Sequence, residues 1–63
     1  MTDDQIASAL AHTLVLERDA RSYWQAATMA DERDAALSIV RLTTPVIRSL
    51  EQWMTARAQR VAQ

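Results

Sequence analysis

Sixty-three residues and 7.1 kDa hold one domain and one small core. With 49% apolar and 24% charged residues, a formal charge of −1, and neither cysteine nor glycine, the composition argues against disorder, disulfides, thiol chemistry, Cys-ligated zinc and Gly-rich phosphate cradles. The near balance of charge, with a pI of about 5.6, also gives no bulk attraction to nucleic acid or anionic lipid.

The opening Met1-Thr2-Asp3-Asp4 is acidic where a signal peptide carries positive charge. No apolar run approaches the length of a membrane span, so a cytoplasmic protein is expected. Thr2 followed by Gln5 fits a capping box, and Met1 with Ile6 fits a hydrophobic staple. A helix over about 3–28 is therefore expected, uninterrupted by Gly or Pro. Ile6, Leu10, Thr13, Glu17, Ala20, Trp24 and Ala27 share one face of it, with Ala9, Leu16 and Tyr23 in a flanking row. That arc is too wide for one neighbouring helix to cover.

A turn is expected at about 29–31. Asp31 reads as the N-cap of the next helix, with Glu32 and Asp34 in its first turn and Thr28 as a rival cap. Without glycine the turn closes on Ala or Asp in the left-handed region, or stays open.

The second helix is expected over about 32–61, with a kink near Pro45. Ala35, Ile39, Leu42, Val46, Leu50, Trp53, Arg57 and Val61 form one arc, flanked by Ala36, Thr43, Ile47 and Met54. The arc runs through Pro45 without a change of phase, which favours a bend over a break. The alternative takes Thr44-Pro45 as N-cap and first residue of a third helix.

The expected fold is thus an all-α antiparallel helical hairpin. Residues 1–32 carry six acids and two arginines, whereas residues 33–63 carry two acids and five arginines, so the pairing sets acidic against basic. Positions adding to about 60 face each other, which sets Asp3 near Arg57, Leu10 near Leu50, Leu14 near Val46, Trp24 near Ala36 and Trp53 near Ala7. Nineteen large apolar side chains cannot all reach one seam. A second copy or a foreign helix pair would complete a four-helix bundle, and the homodimer is the simplest remedy. The expected interface residues are Ile6, Leu10, Leu16, Tyr23, Trp24, Leu50 and Trp53, with both tryptophans packed in the core and Tyr23 toward the partner.

Glu17 stands inside the apolar face, opposite Thr43 and four residues before Arg21. Such a layer fixes register and partner choice, or else serves as a buried switch or ligand contact. Ser8, His12 and Asp19 are the residue types of a hydrolase triad. About two helical turns separate His12 from Asp19, so a solvated histidine is the reading. No catalytic set, cofactor or metal site is expected. Arg41, Arg48 and Arg60 are candidates for nucleic-acid contact, in a helix–turn–helix with its turn at Thr43-Thr44 or along the stripe shared with Gln52, Thr55 and Gln59.

The chain length, the Met1-Thr2 opening and Ala30-Asp31-Glu32 between two long helices resemble the Rop family of plasmid copy-number regulators. The resemblance implies an antiparallel dimer of hairpins that binds paired RNA loops. Pro45 and the lack of a lysine-rich, Phe-bearing face depart from that family, and no site residue is carried over. The function expected from the residues is a non-enzymatic protein–protein interaction module: a small regulator, adaptor or inhibitor. The alternative is a nucleic-acid-binding regulator.

Overall fold

The computed structural model describes the backbone of residues 1–62 and the side chains of residues 1–60. It is an all-α hairpin of α1 (Asp3–Ala26) and α2 (Ala30–Ala62), which pack on each other along their length.

The start of α1 follows from its sequence. Thr2 is extended at φ −79° and ψ 164°, its Oγ1 accepts from the Gln5 amide at 3.2 Å, and its own amide donates to Gln5 Oε1 at 2.8 Å. This reciprocal pair satisfies amides that the first turn would otherwise leave free. Asp3 and Asp4 then lie at the positive end of the helix dipole. Ile6, just inside, is the most deeply buried large side chain, at 1% exposure.

The helices meet through Ala27, Thr28 and Met29, two residues earlier than the sequence suggests. Among the described residues none takes a positive φ. Ala27 leaves α1 extended, at φ −68° and ψ 133°, with its amide bonded to the Tyr23 carbonyl at 2.8 Å. The turn is thus left open. Asp31 is not the cap of α2 but sits in its first turn, where its Oδ1 accepts from the Glu32 amide at 2.9 Å. Ala30-Asp31-Glu32, the tripeptide of the resemblance, is helical rather than a turn.

Helix α2 is a single helix with Pro45 inside it, and there is no turn at Thr43-Thr44. Pro45 is exposed, as is Arg41, whose carbonyl loses its helical donor there and is free to take one from water. In the turn before, Thr43 Oγ1 donates to the Ile39 carbonyl and Thr44 Oγ1 to the Val40 carbonyl, both at 2.9 Å.

The core is thin. Ile6 and Ala20 of α1 meet Ala36, Val40, Thr43, Ile47 and Leu50 of α2. The expected arc of α2 is therefore corrected. Its flanking row, Ala36, Thr43 and Ile47, forms the seam together with Val40 and Leu50, while Ile39, Leu42, Val46 and Trp53 are exposed. Trp53 and Trp24 are not core residues, and Leu14 and Val46 are both exposed. Val61 lies outside the described side chains.

The physical reason is the period. Packed helices keep a seam aligned at about 3.5 residues per turn, while a step of about 100° drifts by roughly 20° per heptad. Over α2 that drift merges two stripes into one arc. At heptad spacing they separate into Ala36, Val40, Thr43, Ile47, Leu50, Met54 and Arg57, which face α1, and Ala35, Ile39, Leu42, Val46, Ser49, Trp53 and Ala56, which do not.

Candidate interaction surface

Two ties fix the rotation of the helices about each other. At the open end, Arg57 Nη1 donates to Asp3 Oδ1 and Nη2 to the Met1 carbonyl, both at 2.6 Å. Midway, Thr44 Oγ1 donates to Glu17 Oε2 at 2.8 Å, and Arg21 Nε donates to Glu17 Oε1 at 3.3 Å. Glu17, with 19% of its side chain exposed, thus has both oxygens engaged. Its partner is Thr44 and not Thr43, whose buried hydroxyl bonds back to the Ile39 and Val40 carbonyls. Thr44 was legible as a possible helix cap beside Pro45 or as part of a turn with Thr43, and in neither reading as the partner of Glu17.

These ties hold level the positions of α1 and α2 that add to 60 or 61. They also give the hairpin unlike flanks. On one side, Glu17, Arg21 and Thr44 form a polar layer. Next to it Arg33 stacks over Trp24, 5.4 Å from the ring centre, beside a hollow lined by Arg21, Trp24, Leu37 and Val40. A cation over an indole face is favourable even when partly wet. No signal short of knowing the helix rotation would have paired these two residues.

The other flank is apolar. Ile39, Leu42, Val46 and Trp53 lie roughly 60–120° from the seam of α2, and Leu16 and Tyr23 roughly 65–85° from the seam of α1, each in the same rotational sense along its own chain. In an antiparallel pair that sense leads to one side. All six are exposed, Leu42 to 71%, Trp53 and Tyr23 to about half. Of the nineteen large apolar residues, at least twelve are exposed among the described residues, so the seam leaves most of them uncovered.

Of the expected interface residues, the structure buries Ile6 and Leu50 in the seam, half-buries Leu10, places Leu16, Tyr23 and Trp53 on the apolar flank, and sets Trp24 on the polar side. His12 is exposed on α1, its Nδ1 2.7 Å from the Ser8 carbonyl and 3.4 Å from Ser8 Oγ. Both are contacts of adjacent helical turns, and Asp19 takes no part in them. Among the described residues no three His, Cys, Asp or Glu side chains gather as metal ligands, and no helix is long and apolar enough to cross a membrane. Arg41, Arg48 and Arg60 are exposed on α2. Arg41 and Arg48 form no ion pair among the described residues, and Arg48 lines a shallow surface with Glu51, Gln52 and Thr55.

Comparison with family models, with curated proteins and with solved structures finds no match for this chain. The likeness to the Rop family therefore rests on hairpin architecture.

Proposed function

We propose that this chain is a helical-packing module, a small regulator, adaptor or inhibitor that acts by offering its apolar flank to another protein rather than by catalysis. The supporting observation is that flank: six large side chains in two rows at heptad spacing, open to water. A monomer seldom leaves such a contiguous patch uncovered. The first partner is a second copy, which completes a four-helix bundle in the cytoplasm. In this reading Pro45 bends α2 at a point whose freed carbonyl faces solvent, and the Glu17 layer holds the flank in its orientation.

Leu42→Glu tests the reading. On an isolated hairpin, a charge at so exposed a position changes stability by no more than about 0.5 kcal/mol. In a symmetric dimer the substitution counts twice, and a central loss of about 2 kcal/mol per copy weakens association on the order of 1,000-fold. Sedimentation equilibrium should give a dimer for the unsubstituted chain at micromolar concentration and a monomer for Leu42→Glu. Identical monomeric sedimentation of both would overturn the proposal.

A further inference from the structure

The seating of that second copy can be specified. We infer that two copies stack apolar flank on apolar flank about a twofold axis parallel to the helices, so that α1 of each lies on α2 of the other. This rests on the self-association proposed above and adds which helices meet.

Surface area supplies the first argument. The chain exposes 4955 Å², against about 4,100 Å² for a compact monomer of its mass. The excess, roughly 850 Å², is close to the about 800 Å² that each partner covers in an ordinary stable interface. The shape agrees: the hairpin measures 51 × 16 × 15 Å, a rod about three times as long as it is wide.

Spacing supplies the second. An axis along the bundle keeps every residue at its own height, so helices of different copies meet in nearly the register that already operates within one hairpin. Leu16 then lies between Leu42 and Val46 of the second copy, Tyr23 between its Ala35 and Ile39, and Ala9 between its Ser49 and Trp53. A small side chain stands beside a large one at both ends, Ala35 by Tyr23 and Ala9 by Trp53, with Leu16, Leu42 and Val46 in the middle. The outer row of α1 is polar, with Gln5, His12 and Asp19, and forms a wet rim.

Charge supplies the third. Helix α1 carries four acids and two arginines, and α2 four acids and five arginines. Stacking α1 on α2 gives each helix two neighbours of opposite net charge. The rival twofold, perpendicular to the helices, lays α1 on α1 and sets acid beside acid.

The chain has no cysteine, so crosslinking reads the arrangement directly. Leu16→Cys and Leu42→Cys chains, one of them ¹⁵N-labelled, are mixed, checked for helicity by circular dichroism, oxidised mildly and weighed by mass spectrometry. The mixed 16–42 disulfide should exceed both self-disulfides together at least threefold, since only that pair brings Cβ atoms within bonding reach. A Leu16→Cys self-disulfide in excess would establish the perpendicular axis and overturn this stacking while self-association stands. A dimer in sedimentation that crosslinks in neither variant would overturn the flank as the interface. A monomer would overturn both this stacking and the function proposed above.

Discussion

The two flanks of the hairpin are built from the same helices and differ in what finishes them. On the polar side Glu17 is answered within the chain by Thr44 and Arg21, and Arg33 by the Trp24 ring. On the apolar side Leu42, Val46 and Trp53 stay uncovered by any of the described residues. The contrast teaches that hydrogen bonds and ion pairs, being directional, were closed locally, whereas apolar area needs bulk that two helices do not possess.

The tryptophans offer the sharpest way to break the comparison. Trp53→Ala should weaken the dimer about 100-fold, a loss of about 3 kcal/mol, read as a shift in the concentration dependence of thermal unfolding. Trp24→Ala should instead cost about 1–2 kcal/mol of hairpin stability at every concentration, through lost packing and the Arg33 contact. Equal effects of the two substitutions would erase the distinction between the flanks. A smaller effect is expected at Glu17. Glu17→Leu removes one acceptor of Thr44 but leaves its bond to the Val40 carbonyl, so urea unfolding should show equal or slightly higher stability, within about 1 kcal/mol. Oligomer specificity should loosen, seen as species larger than a dimer in sedimentation. The smallest effect belongs to Asp3, whose side chain is 75% exposed. Asp3→Ala should cost less than about 1 kcal/mol, and most of that should vanish in molar salt.

Much of this was legible in the residues. Thr2 and Gln5 announced the start of α1, and the unbroken phase across Thr44-Pro45 announced one long α2. Both signals are local, carried by side chains a few positions apart. The register of Asp3 with Arg57 was legible too, because a short connection and antiparallel helices leave little freedom. What escaped was rotation. Ile39 and Val40 are adjacent and both β-branched, and nothing in either says which one turns inward. That choice depends on small residues, Ala20 and Ala36, letting the helices approach, and on Thr44 reaching Glu17. Bulk misled at Trp24 and Trp53, since the largest side chains suit a wide surface better than a narrow seam. The apolar flank was half legible: Leu16 and Tyr23 stood out as a flanking row, but its larger half on α2 was hidden inside the arc assigned to the seam.

The proline in the middle of α2 has a consequence for motion. Residue 45 has no amide hydrogen, and the chain there lacks one rung of its ladder while Thr43 and Thr44 clamp the preceding turn. Breathing of the long helix should therefore begin at that rung, so amides of residues 46–48 should exchange with deuterated solvent sooner than those of 40–44. In a rod about 50 Å long, the first loss of helix would then come near mid-length rather than at the ends.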